Sequence, residues 1–224
     1  MEKITIQELP KVISTVDLKV TESMFWLYLP IKMAGNRTVR LPEQLKQFKP
    51  ILEATVFDHS VLDPKTFFNN YIYITAKHML VNPDFWGNRG GAHCDGFLTN
   101  DINWIWYDEN PTLFNSGKFE VTPDHTKSLK EFEEQWNYKN EVTYPVKTIL
   151  ELNPNVVHKV SPVSRYFMRT FVKISMSTEK YNLIGNSHNY LFDYNWEMFD
   201  RSEVRNNPIY GELKQSDYVP ADIA

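Results

Sequence analysis

The chain has 224 residues with 24 basic and 28 acidic side chains, and 14% of it is aromatic; that length suits one domain with a full core and is short for two. The mixed, slightly acidic charge lacks the basic footprint of a dedicated nucleic-acid binder, and 8 Gly against 13 Pro argue against a Gly-rich phosphate loop. No apolar run approaches the ~18 residues of a membrane span, MEKITIQELP lacks a signal-peptide core, and one Cys fits a reducing compartment, so a single cytoplasmic domain over 1–224 is expected.

In chain order, MFWLYLPIKM (24–33) reads as an apolar strand and LPEQLKQFKPILEA (41–54) as a helical stretch interrupted by Pro50. From residue 70 the text becomes a series of short aromatic or β-branched runs. These are YIYITAKHML (71–80), AHCDGFL (92–98), INWIWYD (102–108), GKFEV (117–121), YPVKTILEL (144–152), NVVHKV (155–160) and RYFMRTFVKISMS (165–177). Turn formers separate them, which predicts strands. One helix interrupts the series, with Ser128 and Glu131 as its capping box and Leu129, Phe132 and Trp136 as its packing face. Many short strands with an inserted helix predict an all-β core over 70–177 with added helices. The polar, Asn-rich tail over 178–224 reads as an extension packing on that core, as a lid or a homodimer contact.

Residues 90–97 are Gly-Gly-Ala-His-Cys-Asp-Gly-Phe. On a strand, His93 and Asp95 share a face and Cys94 points away. His158, in Val-Val-His-Lys-Val, offers a third ligand from a second strand. Two imidazoles and a carboxylate on one face of an octahedron leave three positions open, the donor set of non-haem Fe(II) oxygenases. Taken singly, each of the three also reads as an ordinary hydrogen-bonded polar residue. On the last strand Arg165, Phe167, Arg169, Phe171, Lys173 and Ser175 share one face. A central strand with that many cations needs anionic partners, and a bound dicarboxylate would supply one.

The ordered set His93-x-Asp95, His158, Arg169 resembles the 2-oxoglutarate/Fe(II)-dependent dioxygenase superfamily. The resemblance covers about residues 70–177 and implies a double-stranded β-helix, the cupin-like jelly roll. In that family the His-x-Asp pair lies on the second barrel strand, the distal His on the seventh and the Arg on the eighth. It implies a hydroxylase in which His93, Asp95 and His158 hold Fe(II) and Arg169 pairs with the far carboxylate of 2-oxoglutarate. O2 and 2-oxoglutarate then give succinate and CO2. The family often has Ser or Thr two residues after the Arg; Phe171 stands there, which leaves the second donor to that carboxylate to Tyr73 or Thr75.

The segments flanking the triad predict the pocket mouth, with Arg89, Asn103 and Trp104 as substrate contacts for an anionic or planar small molecule, a nucleotide or a nucleic-acid base. For Trp104 and Trp106, core or rim packing is the favoured reading. Two other readings stay open: a cupin-like metal protein that does not use 2-oxoglutarate, and a non-catalytic binding protein on the same fold.

Overall fold

A computed structural model describes residues 2–201. Its strands are β1 (Ile4–Ile6), β2 (Lys11–Thr15), β3 (Met24–Lys32), β4 (Tyr71–Val81), β5 (Ile102–Tyr107), β6 (Leu113–Asn115), β7 (Phe119–Val121), β8 (Glu141–Val142), β9 (Thr148–Leu152), β10 (His158–Lys159) and β11 (Phe167–Ser177). The large sheet has the order β2-β9-β5-β11-β4-β3, and the small one runs β10-β6-β8. All their ladders are antiparallel. An isolated bridge pairs His93 with His158 and adds a fourth line of backbone to the small sheet.

From β4 onward the chain alternates between the sheets: β4, then the bridge at His93, β5, β6 and β8, β9, β10, and back to β11. That winding is a double-stranded β-helix. It makes the His93 segment the second strand of the barrel, β10 the seventh and β11 the eighth, as the resemblance implied. Strands β2 and β3, from the part of the chain that the resemblance does not cover, widen the large sheet at its two edges.

Side-chain alternation sorts the core into three layers. Between the sheets lie Ile105, Tyr107, Leu150 and Leu152 from the large sheet and Phe114 from the small one. The outer face of the large sheet, with Ile72, Ile74, Trp104, Trp106, Val172 and Ile174, packs on Leu45, Phe48, Leu52 and Val56 of a helical run over 43–62. The outer face of the small sheet, with Ala92, Cys94 and Val157, packs on Phe132 and Trp136, which belong to the helix His125–Gln135 and the residue just after it. The two indole N–H groups of β5 are satisfied, Trp104 by Glu151 at 2.8 Å and Trp106 by the Val16 carbonyl at 2.9 Å.

Two local expectations change. Pro50 does not interrupt the first helix; it stands in the first turn of the α-helical part, where no N–H is required. Ser128 is not the cap of the second helix. Asp124 is, accepting from the N–H groups of Thr126 and Lys127, and Ser128 is buried one turn in. Glu131 instead reaches back to the N–H and hydroxyl of Thr122. As far as residue 201, the tail lies against the edge of the large sheet. Ser187 exchanges hydrogen bonds with Leu27 on the outer edge strand, and Asn189, 1% exposed, donates to the carbonyls of Pro30 and Arg40. These contacts blunt a sheet edge that would otherwise stay open. The rest of the predicted extension lies outside the described residues.

Candidate metal centre

His93 and His158 meet because their backbones form a reciprocal pair: His93 N–H donates to His158 O at 3.0 Å, and His158 N–H to His93 O at 2.9 Å. Directly opposed residues project to one face, so the rings lie 4.6 Å apart between the sheets. Asp95, two residues on, starts the turn that ends the segment, and Gly96 follows with φ +69°. A Cβ at Gly96 would lie 2.7 Å from Asp101 Cβ, so the turn needs glycine twice over, for its φ and for its close approach. The ligand atoms of His93, Asp95 and His158 all fall within 4.8 Å of one another.

The donor set fits a metal ion at the level of individual nitrogens. His93 Nδ1 lies 2.9 Å from the Gly91 carbonyl, and His158 Nδ1 lies 3.1 Å from the Val156 carbonyl. A carbonyl only accepts, so each Nδ1 carries the proton and each Nε2 keeps its lone pair for the site. Burial, with the neighbouring His158, lowers His93 to about 3, so its imidazole is neutral and ready to ligate at physiological pH. Asp95 Oδ2 lies 3.6 Å from His158 Nε2, and Asp95 Oδ1 accepts from Lys173 Nζ at 2.9 Å. Burial opposes ionisation of Asp95, but Lys173 overrides it and holds the carboxyl well below its usual range. Lys173 is raised in turn: burial works against its charge, and Asp95 and Tyr28 outweigh that.

Lys173 and Tyr28 are the site residues that sequence reasoning missed. The cationic face of β11 was visible, but it pointed to Arg169. Tyr28 accepts from Lys173 Nζ at 3.2 Å, with its ring centroid 5.0 Å from that ammonium. It sits at a register shift in β3 with φ +47°, a conformation that an aromatic residue rarely adopts, and its N–H is held by Thr75 Oγ1 at 3.0 Å.

The other predicted residues divide. Arg169 is 2% exposed and faces the space between the sheets; it donates to the carbonyls of Glu109 and Asn110 at 3.0 and 3.2 Å, which leaves further N–H donors for another acceptor. Thr75 lies directly across the ladder from Lys173. Tyr73 does not fit its expected role: its hydroxyl donates to the Glu179 carbonyl and accepts from Tyr181 N–H, so it has no proton to offer a carboxylate. Trp104 points to the helical layer, on the face of β5 opposite the triad, which is the packing alternative. Asn103 does face inward, accepting from Ser175 Oγ at 2.6 Å, and its amide nitrogen is buried without a hydrogen-bond partner. Arg89 lies close enough to His93 for its charge to act on that ring. Cys94 packs among Phe97, Phe132 and Trp136, away from the site.

No protein-family model matches the chain, and no curated protein matches it either. Solved structures do. The chain is distantly similar to several proteins of known structure. EvdO2 from Micromonospora carbonacea var. aurantiaca, complexed with 2-oxoglutarate, aligns over 65% of this chain and 71% of its own at 14% identity, with a TM-score of 0.37. A 2OG-Fe(II) oxygenase family oxidoreductase from Burkholderia pseudomallei aligns over 80% and 73% at 13% identity, TM-score 0.37. A bsmA homolog from Methylobium petroleophilum PM1 aligns over 71% and 65% at 12% identity, TM-score 0.36. The chain spans about two thirds of the length of several of these matches. At such identities and scores the chemistry of this chain is read from its own site. Among the described residues, no helix is long and apolar enough to cross a membrane.

Proposed function

We propose that the chain is an Fe(II)- and 2-oxoglutarate-dependent oxygenase that hydroxylates a C–H bond of a small substrate. The observation that carries this reading is the convergence of two Nε2 lone pairs and one carboxylate oxygen within 4.8 Å, in a space that also holds the ammonium of Lys173. His93 and His158 would hold the metal through Nε2 and Asp95 through Oδ2, because Lys173 occupies Oδ1. When bound, Fe(II) with 2-oxoglutarate and O2 supplies the oxidation, and the products are succinate, CO2 and the hydroxylated substrate.

The protein's part is geometric and electrostatic. The two backbone carbonyls fix the tautomers and aim the rings. Lys173, backed by Tyr28, keeps Asp95 ionised and points one of its oxygens at the site. Arg169, buried and with donors to spare, would serve from the interior face as the counter-charge for the co-substrate's far carboxylate. Phe114, Leu150 and Leu152 line the same space and keep water from it.

The test is anaerobic addition of Fe(II) and 2-oxoglutarate, read by the visible charge-transfer band of a chelated keto acid, followed by succinate release on admitting O2. Asp95→Ala should abolish both; turnover that survives in that variant rejects the assignment. A second reading has one observation in its favour. Arg169 already satisfies two backbone carbonyls, as a structural arginine in a cupin-like metal protein would. That reading expects metal binding without the keto-acid band.

A further inference from the structure

Three cations line the inner face of the large sheet: Arg169 and Lys173 on β11, and Lys77 on β4, opposite Phe171 in the ladder. Two of them have carboxylates nearby. Lys173 is paired with Asp95 at 2.9 Å, and the charge of Asp108 acts on Arg169. Lys77 differs. Its ammonium donates only to neutral acceptors, the Gly87 carbonyl at 2.9 Å and Asn88 Oδ1 at 3.2 Å. Among the described residues, no carboxylate stands within ion-pair reach of it, and the charges that act on it are those of Lys173, Arg169 and Arg201.

Loading the site as proposed above does not cure this, since a divalent metal and a dianionic co-substrate cancel one another. An ammonium among cations in a low-dielectric space is costly unless an anion joins it. Burial and those cations lower Lys77 to about 7, the behaviour of a group awaiting a partner. Its position suits a substrate. The 87–88 turn that holds it leads directly into His93, and Phe25, 55% exposed, puts its ring 5.2 Å from the ammonium, so the site opens to solvent on that side.

We propose that Lys77, under the Gly87–Asn88 turn and beside Phe25, is the subsite for an anionic group of the substrate, a carboxylate or a phosphoryl group. The inference rests on the oxygenase reading for the location of the reacting centre, and it makes the substrate an acid rather than a neutral planar molecule.

The probe is inorganic phosphate, with acetate in parallel to separate the two chemistries. Wild type and Lys77→Met, both loaded with Mn(II) and 2-oxoglutarate, are melted with and without the anion in a chloride buffer. Wild type should gain about 3 °C or more from a saturating anion, and Lys77→Met should lose that gain. Phosphate outperforming acetate assigns a phosphoryl group, and the reverse a carboxylate. Lys77→Arg, which keeps the charge, should retain the gain and stands in as the folded control if the methionine variant does not fold. In that case Lys77→Gln takes its place as the neutral variant. An equal gain in wild type and the neutral variant, or none in wild type, overturns the proposal and makes Lys77 a structural pin for the turn. The keto-acid band is read on parallel anaerobic samples loaded with Fe(II) in place of Mn(II): its absence from wild type rejects the oxygenase reading, whereas its presence in both proteins with equal anion effects rejects only the subsite.

Discussion

Replacing Lys173 with methionine tests the electrostatics on which the metal centre depends. The side chains of Lys173 and Asp95 are 10% and 18% exposed and meet at 2.9 Å, so the pair is largely withdrawn from water. Removing one member of a buried ion pair costs about 3–5 kcal/mol, because the other charge is left without compensation. At roughly 2–4 °C per kcal/mol for a chain of this size, the metal-free Lys173→Met protein should melt about 6–20 °C below wild type. The lower part of that range applies if Asp95 escapes by taking a proton. Calorimetry in EDTA and again with saturating Mn(II) reads the effect. A divalent ion replaces the missing positive charge, so Mn(II) should recover more stability in the variant than in wild type. The gap should also close in acid. Asp95 is depressed in the folded protein, so its contribution is present above its unfolded value of about 4 and is lost as pH falls through the folded one. A metal-free variant melting within about 2 °C of wild type at neutral pH would refute the reasoning.

Three further outcomes follow from the same coordinates. Arg169→Met should raise the KM for 2-oxoglutarate by about 10–100-fold, the worth of a charged hydrogen bond; an unchanged KM in succinate assays would favour the cupin-like alternative. Gly96→Ala combines a left-handed φ with a Cβ 2.7 Å from Asp101, whose carboxylate is itself held by Tyr181 at 2.6 Å. It should cost about 1–3 kcal/mol in urea unfolding and weaken Mn(II) binding, since the turn that aims Asp95 must shift. Lys32 is fully buried, donates to the carbonyls of Met33, Phe68 and Asn70, and is lowered by burial to about 8. Between pH 8 and about 10.4 the unfolded chain therefore binds more protons, and wild type should gain about 3 kcal/mol over Lys32→Met across that window. A flat difference in denaturant titrations would contradict the assignment.

Much of the architecture was legible because strands carry a period of two. His93 and Asp95, and Arg169 with Lys173, had to share faces wherever their strands lay, and Cys94 had to face the other way. The spacing of short apolar runs likewise called for a closed β architecture. The helix starts one turn before the Ser128–Glu131 pattern predicts, because Asp124 caps it and Ser128 is buried inside it. Trp104 and Asn103 are neighbours on β5, and alternation alone could not say which of the two faces of the large sheet turns toward the metal centre and which toward the helices.

Local composition thus determined the alternating faces, the ligand types and the cation-rich last strand. Which charges meet was decided by tertiary structure, because contact across a sandwich depends on register between segments 50 to 150 residues apart. The reciprocal bonds between His93 and His158 bring the imidazoles together. The fold of β11 against the turn after His93 gives Asp95 to Lys173. The bulge at Tyr28, in a strand whose sequence reads as plain apolar filler, carries a hydroxyl to that lysine. No pattern within a single strand encodes these pairings. They exist because hydrophobic packing on both outer faces presses the two sheets together and brings their few inward polar groups within reach of one another.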